Sequence, residues 1–600
     1  MKKLINDVQR VVPDLLNGFV ALHPHLALLA DRTIVVRADA AEAASRGEVA
    51  LVSGGGAGHE PAHAGYVGAG MLSAAVAGEV FTSPSVDAVL DAIRAVGGPA
   101  GVLLIVKNYT GDRLNFGLAA EIARAEGIDV EMVIVADDVA LAARGEHAGR
   151  RGLAGTVLVH RIAGAAAAAG LPLAEVARQA REAAAALGTM GVALSPCTVP
   201  AAGVPGFTLG EREIEWGLGI HGEAGVERAE LDPAGAADTV AERLLARIAG
   251  DLALERGARV ALLVNNLGGT PPGELDIVAG AALRVLGARG VKVERAWAGT
   301  FLSALDMAGI SLTLLRVDDA RLAWLDAPSA APAWPARAGQ VAPPESRPVP
   351  AAPDAVHRRL AGGARLAPDA ALRRVIDAIC ARLLAAEPTL TDMDQRVGDG
   401  DLGISLSRAA RAIAAEAGGW PDASHPGAVL RAMSATLRRA VGGTSGPLYA
   451  AMLMRAAAAL DAAARPDASA WADAFLAAVA GVTEIGGAHP GDRTMVDALD
   501  PAARALRTAL DATGNLRQAL DASAAAAAEG AAGTAALLPK RGRSSYLGER
   551  ALGHPDPGAH AVALWLAAIR DAARLNRAAR ATGPRQAGAG ESGGGRGAMR

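Results

Sequence analysis

The segment from residue 328 to 353 constrains the fold most, because it separates two parts of the 600-residue chain that differ in pattern. It contains eight prolines in 26 residues and few apolar side chains. Proline-rich chain favours extended conformations and does not form a hydrophobic core. We therefore predict a linker over residues 328–365, which joins one domain over 1–327 to a second over 366–577.

The first domain is predicted to be α/β. Short apolar runs alternate with alanine-rich segments of helical spacing, and this alternation is typical of α/β domains. A long helical stretch at 171–187 is expected to divide the domain into two subdomains. The candidate strands cover residues 49–53, 101–107, 130–135, 260–264 and 311–317.

The second domain is predicted to be all-α. Leu372, Ile376, Ile379 and Leu383 recur at the spacing of one helix face, and no strand pattern follows the linker. The pattern favours a helical bundle. The glycine-rich end of the chain, residues 578–600, is predicted to be disordered.

The charge balance argues against a nucleic-acid partner. The chain has 59 basic and 63 acidic residues, a net charge of −4, where a nucleic-acid-binding surface favours a basic excess. Two cysteines exclude a disulfide framework and fit a reducing compartment. The N-terminus lacks the apolar core of a signal peptide, and no run of about 18 uncharged apolar residues predicts a membrane span. We expect a cytoplasmic protein without a membrane partner.

Three carboxylates with interleaved glycines form a candidate cation site. Asp394, Asp399 and Asp401 lie in the stretch DQRVGDGDLG. Mg²⁺ takes oxygen ligands, and three anions in one loop repel each other unless a cation lies among them. An acidic turn between helices is the alternative, and the pattern alone leaves both open.

Two other motifs of the second domain are candidate phosphate contacts. The stretch VGGTSGP at 441–447 resembles the start of a helix, where free N–H groups bind phosphate, although Thr444 or Ser445 as an ordinary N-cap explains it equally. Arg543, in KRGRSSYLGER, could pair with a phosphate. A solvated basic turn is the competing interpretation.

Three glycine-containing loops of the first domain carry candidate catalytic side chains. GGGAGHEP ends near His59, KNYTGDR contains Lys107 and Asp112, and GLGIHGE contains His221. Two of these loops follow candidate strands, where α/β sheets usually bind ligands. The first is not a dinucleotide fingerprint, since His59 replaces the third glycine. A structural histidine is the competing interpretation for each imidazole.

Together and in this order, these segments resemble the dihydroxyacetone kinases. The resemblance rests on SGGGAGHEP, KNYTGDRLNF, GLGIHGE, GDGDLG, GGTSGPLY, GDRTM and GRSSYLGER, and it spans residues 1–559. It indicates the single-chain, ATP-dependent form, with an α/β substrate domain in two parts and an ATP domain that is a barrel of helices. The form whose domains are separate subunits, fed by a phosphotransferase relay, is the other arrangement.

The resemblance implies roles in the first domain. His221 would hold the ketone as a covalent hemiaminal, Asp112 would be the general base, and His59 would assist proton movement. The implied substrate contacts are Gly56, Ala57, Gly58, His59, Lys107 and Asp112.

In the second domain the resemblance implies that Asp394, Asp399 and Asp401 bind two Mg²⁺ ions with ATP as co-substrate. Leu402 departs from the family, where this position is often small or polar, so the resemblance supports its backbone contact only. The implied nucleotide contacts are Leu402, Gly403, Ile404, Ser405, Thr444, Ser445, Gly486, Thr494, Met495, Arg543, Asp556, Pro557 and Gly558.

The resemblance also implies a homodimer, and it leaves the substrate open. Dihydroxyacetone is the first expectation, with glyceraldehyde as a further substrate. A four-carbon ketose such as erythrulose and a non-catalytic, dihydroxyacetone-binding regulator are the alternatives. Cyclisation of FAD to cyclic FMN, a side activity of some relatives, also stays open.

Overall fold

The fold is described from a computed structural model. The structure describes residues 2–141, 149–336, 339–343, 345–348, 365–368, 370–463 and 465–581, except the side chains of Arg543 and of residues 576–581. Contacts divide the chain into two compact units, Met1–Ser346 and Arg347–Arg600.

The first half of unit 1 is built around a six-stranded sheet in the order β1-β2-β4-β3-β5-β6. Strands β4, β3, β5 and β6 run parallel, and β1 and β2 pair antiparallel at one edge. Its elements are α1 (Val11–Leu22), β1 (Leu26–Leu28), β2 (Ile34–Arg37), α2 (Ala40–Ser45), β3 (Ala50–Ala57), β4 (Ala74–Val80), α3 (Val86–Val96), β5 (Val102–Lys107), α4 (Thr110–Ala125) and β6 (Val130–Val135).

The second half of unit 1 has its own six-stranded sheet, in the order β11-β10-β12-β7-β8-β9. Only the β10–β11 pair among these described strands is parallel. Its elements are α5 (Thr156–Ala168), α6 (Leu173–Ala185), β7 (Leu187–Ala193), β8 (Glu213–Trp216), β9 (Glu227–Glu230), α7 (Ala236–Asp251), β10 (Arg259–Asn266), α8 (Pro272–Ala288), β11 (Lys292–Gly299), β12 (Gly309–Arg316) and α9 (Asp319–Asp326). Two sheets in one α/β unit confirm the predicted fold class.

Helix α5 is buried along almost its whole length and belongs to the core cluster that includes residues of both sheets, such as Leu103 and Leu263. A helix that is apolar all round is expected in such a position. It carries His160 and Arg161 into the interior, where both are fully buried. Polar groups at this depth need partners, and Arg161 donates to the carbonyls of Gly70, Leu325 and Ala327.

The first part of the predicted linker packs on unit 1. Ala331 and Trp334 are buried, and the Trp334 ring lies 5.1 Å from that of Trp297. The Ala330 N–H donates to Ala69 O, and the Ala296 N–H of β11 donates to Gly339 O. The apolar side chains in this part of the linker therefore pack on the core of unit 1. The high proline content of the segment did not predict this packing. The described residues do not test the linker beyond this point, and residues 351–364 lie outside them.

The described part of unit 2 is mostly helical and contains no named strand, which confirms the all-α prediction. Its helices surround an apolar cavity of about 910 Å³, lined by side chains such as Leu406, Met452 and Trp565. The helices are α10 (Ala371–Ala385), α11 (Glu387–Val397), α12 (Leu402–Glu416), α13 (Pro426–Ala440), α14 (Ser445–Asp461), α15 (Ala468–Gly486), α16 (Val496–Thr513), α17 (Leu516–Gly533) and α18 (Pro557–Ala581), with a 3₁₀ segment at Arg543–Ala551.

Helix α15 is the one described helix long and apolar enough to span a membrane by length and composition. Core helices of globular proteins meet the same criterion, and Ala474, Ala478 and Val482 of α15 are buried in the helical core. The predicted disordered tail, 578–600, lies outside the described residues, apart from the last residues of α18.

Candidate active site

The imidazole of His221 is fixed by a carboxylate two residues along the chain. Its Nδ1 atom lies 2.7 Å from Glu223 Oε1, and its backbone N–H donates to Glu223 Oε2 at 2.9 Å. Gly219 makes room for this arrangement, since a Cβ there would lie 2.0 Å from Glu223 Oε2. With the Nδ1 proton directed at the carboxylate, the neutral ring keeps its lone pair on Nε2.

Three aromatic side chains surround His221. The ring centroids of His59, Phe81 and Tyr109 lie 4.8, 5.2 and 4.7 Å from its own. The Tyr109 hydroxyl is buried without a hydrogen-bond partner among the described residues, and burial raises its pKa well above the ordinary value. His221 itself is 21% exposed. A small molecule can therefore reach an imidazole that is otherwise enclosed by rings.

Burial raises the pKa of Glu223, but the hydrogen bond from His221 and the charge of the protonated His221 ring outweigh it and lower this pKa to about 2. The carboxylate is therefore ionised at neutral pH. It holds the ring in one orientation and stabilises positive charge on it.

His59 has the same tautomer for a different reason. Its Nδ1 lies 2.8 Å from the carbonyl oxygen of Ser303, which can only accept, so Nδ1 carries the proton. The Nε2 atom is buried without a partner among the described residues. Burial, followed by the charges of His221 and Lys107, lowers the pKa of His59 well below its usual value. His59 therefore offers a neutral acceptor.

The glycine run before His59 is part of a strand, although its composition suggested a loop. Gly54, Gly55 and Gly56 lie in β3. A Cβ on Gly56 would lie 2.5 Å from the Thr82 backbone nitrogen, and the Gly58 N–H donates to the Glu60 carboxylate at 3.0 Å. Close packing of neighbouring chain thus requires the glycine at position 56, while Ala57 is buried and continues the strand.

Lys107 and Asp112 come together where β5 ends and α4 begins. Both side chains are buried, and Asp112 Oδ1 has no hydrogen-bond partner among the described residues. Burial lowers the pKa of Lys107, and the negative charges of Asp112 and Asp137 oppose this. The Lys107 Nζ donates to His63 Nε2 at 2.7 Å. A Cβ on Gly55 would lie 2.7 Å from Nζ and 3.8 Å from Asp112 Oδ2, so this glycine leaves room for the pair.

The structure therefore brings His59 and His221 together, and Lys107 beside Asp112. Sequence reasoning assigned no role to five residues of this region: Phe81, Tyr109, Glu223, His63 and His160. Tyr109 and Glu223 lie inside the recognised motifs, so the sequence could have indicated both as candidate site residues. Phe81 and His160 lie outside any motif and are brought in only by tertiary packing.

In unit 2, Asp394, Asp399 and Asp401 each present a carboxylate oxygen, and these oxygens lie within 4.8 Å of one another. Asp394 is buried near the end of α11, whereas Asp399 and Asp401 are exposed in the loop before α12. The Leu402 N–H donates to Asp394 Oδ2 at 3.1 Å. Three clustered oxygen donors of this kind fit a divalent hard cation.

A fourth carboxylate lies near this cluster. Asp556 precedes α18 and accepts from the Ala559 N–H at 2.8 Å. Burial raises its pKa to about 6, against the hydrogen bond from Ala559 and the charge of Arg493, while the negative charges of Asp497 and Asp394 add to the rise. Gly558 adjoins Met495, since a Cβ on Gly558 would lie 3.7 Å from the Met495 Cβ. Asp556, Gly558 and Met495 thus lie on the same side of the unit as Asp394.

The remaining predicted nucleotide contacts are distributed over several elements. Gly486, at the end of α15, adjoins Leu448 of α14, the helix that Thr444 precedes and Ser445 begins. No hydrogen bond joins Thr444 or Ser445 to Asp394 or Asp401. Leu402, Gly403, Ile404 and Ser405 form the first turn of α12, Thr494 donates its N–H to Asp497, and Pro557 begins α18. The side chain of Arg543 lies outside the described part of the chain.

Residues 17–333 match the Dak1 domain, and residues 396–571 match the DAK2 domain. The chain belongs to the dihydroxyacetone kinase family. Both domains of the family are thus present in one chain, in the order that the motifs predicted.

Curated members of the dihydroxyacetone kinase family are similar over nearly the whole chain. A putative 3,4-dihydroxy-2-butanone kinase of Solanum lycopersicum is 46% identical over 94% of this chain and 97% of its own. A triokinase/FMN cyclase of Homo sapiens is 45% identical over 95% and 98%. A D-erythrulose kinase of Mycolicibacterium smegmatis is 38% identical over 96% and 99%.

A solved dihydroxyacetone kinase has the same two-domain architecture. The crystal structure of the C. freundii enzyme in complex with AMP-PNP and Mg²⁺ is 36% identical, covers 95% of this chain and 99% of its own, and superposes with a TM-score of 0.60. This likeness supports the use of ATP and Mg²⁺ by the kinase family.

Proposed function

We propose that this chain phosphorylates dihydroxyacetone with ATP to give dihydroxyacetone phosphate. The observation that carries the proposal is the His221–Glu223 pair, which leaves the Nε2 lone pair of a partly exposed imidazole available inside a ring-lined site. The membership of a kinase family and the clustered aspartates of unit 2 support the phosphoryl-transfer half of the reaction.

In the first step His221 holds the ketone. Its Nε2 atom adds to the carbonyl carbon, the C=O π bond breaks, and the carbonyl oxygen takes a proton from solvent to give a hemiaminal. The positive charge that forms on the ring lies against the Glu223 carboxylate. Such anchoring positions the substrate and selects ketones over glycerol, which has no carbonyl group.

In the second step Asp112 takes the proton of a substrate hydroxyl, whose oxygen bonds to the γ-phosphorus as the bond to ADP breaks. A buried carboxylate oxygen without a partner suits a general base. His59 Nε2 can accept a hydrogen bond from substrate, and the Lys107 ammonium lies beside Asp112 to balance charge. Gly56, Ala57 and Gly58 would shape the wall of this site.

Unit 2 would bind the nucleotide. Asp394, Asp399 and Asp401 would hold two Mg²⁺ ions, which when bound neutralise phosphate charge. The first turn of α12 presents backbone groups beside these aspartates, and Met495 with Gly558 forms a second surface near Asp556. Arg543 and the start of α14, with Gly486, remain proposed phosphate and nucleotide contacts.

The test is ATP-dependent phosphorylation of dihydroxyacetone by the wild-type chain, with His221→Ala as the informative variant. We expect a severe loss of ketone affinity in His221→Ala and no turnover of glycerol by the wild type. His425→Ala, at an exposed histidine of unit 2, is the control and should behave as wild type. Undiminished ketone binding and turnover in His221→Ala would remove the covalent anchor from the proposal.

A four-carbon ketose is the second candidate substrate. The D-erythrulose kinase relative favours it, and an imidazole that adds to a carbonyl carbon accepts any small hydroxyketone. The kcat/KM values for dihydroxyacetone and erythrulose, measured side by side, decide between them. A non-catalytic regulator is the remaining alternative, and turnover of either ketose would exclude it.

A cytoplasmic location and a homodimer complete the proposal. Both cysteines, Cys197 and Cys380, are buried free thiols, which supports a reducing compartment. Fractionation of cells and sedimentation of the purified chain test the two points separately.

A further inference from the structure

A chain of three buried side chains continues from the candidate active site into the core of unit 1. The Lys107 Nζ lies 2.7 Å from His63 Nε2, and His63 Nδ1 lies 3.0 Å from His160 Nε2. Lys107, His63 and His160 are 1%, 6% and 0% exposed. The proposed mechanism assigns no role to either of these histidines.

The chemistry of the chain fixes the direction of its hydrogen bonds. An ammonium group only donates, so His63 Nε2 accepts and the His63 proton lies on Nδ1. That proton is donated to His160 Nε2, which places the His160 proton on Nδ1. Burial, followed by the charge of Lys107, lowers the pKa of both imidazoles, that of His160 to about 3. Both rings therefore stay neutral, so that His63 accepts from the Lys107 ammonium and His160 accepts from His63.

The three residues come from three different elements. Lys107 ends β5, His63 lies in the turn after β3, and His160 lies in the buried helix α5. The His160 ring also lies 6.3 Å from the ring of Tyr66, whose hydroxyl donates to Phe301 O at 2.6 Å. The chain is thus held by rigid parts of the fold.

The charged groups that face Lys107 come from two further positions. Asp112 lies in the first turn of α4, and Asp137 follows β6. Asp137 is already engaged, because it accepts from the Leu153 N–H, the Gly155 N–H and the Thr189 hydroxyl. His59 lies close enough for the charge of Lys107 to act on it. Asp112 is therefore the carboxylate whose electrostatic surroundings depend most on the position of the Lys107 ammonium group.

We infer that His63 and His160 are positioning residues that hold the Lys107 ammonium beside Asp112 in the kinase reaction. The inference rests on the proposed function of Asp112. His63 supplies the acceptor that fixes Nζ, and His160 fixes the tautomer that makes His63 an acceptor. Neither imidazole needs to touch substrate for this role.

The test compares glutamine and asparagine substitutions at His63, and likewise at His160, in the full-length chain. In His63→Gln the amide oxygen lies near the place of Nε2 and can accept from Lys107. In His63→Asn the shorter side chain places it near Nδ1, out of reach. We expect kcat/KM for the ketone in His63→Asn to be about 10- to 100-fold below that of His63→Gln, as for loss of a hydrogen bond to a charged group. The KM for ATP should be the same in both.

The pH profile separates positioning from a general loss of structure. A hydrogen bond to the ammonium favours its charged form, so loss of the acceptor lowers the pKa of Lys107. We expect the activity of His63→Asn to decline at lower pH on the alkaline side than that of wild type, and His63→Gln to restore the wild-type profile. At position 160, His160→Asn should again have a lower kcat/KM for the ketone than His160→Gln, by a smaller factor. If His63→Asn does not fold, this second pair of variants decides the test.

Equal activity and equal pH profiles of the Asn and Gln variants at position 63, with an active wild type, would overturn the inference alone. A wild-type chain that phosphorylates no ketone would overturn the proposed function, and with it the role of the two histidines.

Discussion

The rings of His59 and His221 lie 4.8 Å apart, and each has its Nδ1 proton held by a protein oxygen. Ser303 O accepts from one ring and Glu223 Oε1 from the other. The pair therefore presents two Nε2 lone pairs in one site. Both tautomers are set by neighbours that do not themselves need to contact a substrate.

Glu223→Gln should weaken ketone binding, because the neutral amide stabilises positive charge on His221 poorly. We expect kcat/KM for the ketone to fall by about 10- to 100-fold, the range for a hydrogen bond between charged groups. Steady-state kinetics at saturating ATP measures this, and the exposed Glu230→Gln is the control. Wild-type kinetics in Glu223→Gln would show that the carboxylate does not assist His221.

Asp401→Asn should weaken the response of unit 2 to Mg²⁺. Removal of one of three clustered charges relieves repulsion in the metal-free protein and takes away an oxygen ligand. We expect a higher Tm without Mg²⁺, a smaller rise in Tm on adding it, and a drop in kcat/KM for ATP on the order of 100-fold.

Asp392→Asn is the matched control for this variant. Asp392 is exposed on α11, two residues before Asp394, and pairs with Arg396. Loss of the Mg²⁺ response in both variants would argue against a specific cation site at Asp401.

Asp556 should make unit 2 less stable as the pH rises. Its pKa is raised from 3.8 to about 6 in the folded chain, so the folded state binds this proton more tightly than the unfolded state does. The free energy of unfolding should therefore fall between about pH 4 and pH 6, by less than about 3 kcal/mol.

Asp556→Asn keeps a side-chain oxygen for the Ala559 N–H but cannot ionise. Urea unfolding at pH 4 and pH 7 without Mg²⁺ should show that this variant lacks the decline attributed to Asp556. An equal decline in wild type and variant would assign the pH dependence to other groups.

Gly56→Ala should destabilise unit 1, because its Cβ would meet the backbone of Phe81 and Thr82. We expect a cost of about 1–3 kcal/mol, as for overpacking in a core. Gly117→Ala in α4 is the control, since its Cβ meets nothing within 4 Å. This control should be stabilising by up to about 1 kcal/mol. Thermal unfolding of both variants measures the difference.

The sequence predicts the fold classes because helices and strands each have a characteristic spacing of apolar residues. Strands β5 and β6 were predicted nearly to the residue, since each is a run of mostly apolar residues, although only β5 is buried along its whole length. Strand β4 and strand β7 were missed, because AAVAGEV and LGTMGVA are built largely of small residues that do not read as strands. In both cases the neighbouring strands, not the local sequence, determine the extended conformation.

The candidate site was predicted only in part for the same reason. His59, Lys107, Asp112 and His221 were found from their motifs, but nothing in the sequence pairs His63 with His160, which lie 97 residues apart. The glycines at 54–56 were predicted as a loop, since the groups that crowd them are distant in sequence: the chain at residues 76–82 crowds Gly54 and Gly56, and the Lys107 side chain crowds Gly55. Contacts of this kind depend on tertiary packing.

Trp334 packs against Trp297, and Gly339 packs against the edge of β11. These contacts determine where the chain can be divided into two separate polypeptides, one for each domain. A split gene that ended the substrate domain at residue 327 would remove residues 328–340 from that domain and leave the Trp297 ring uncovered. Separate subunits made from this chain should instead be divided beyond residue 340, so that this segment stays with the sheet on which it packs.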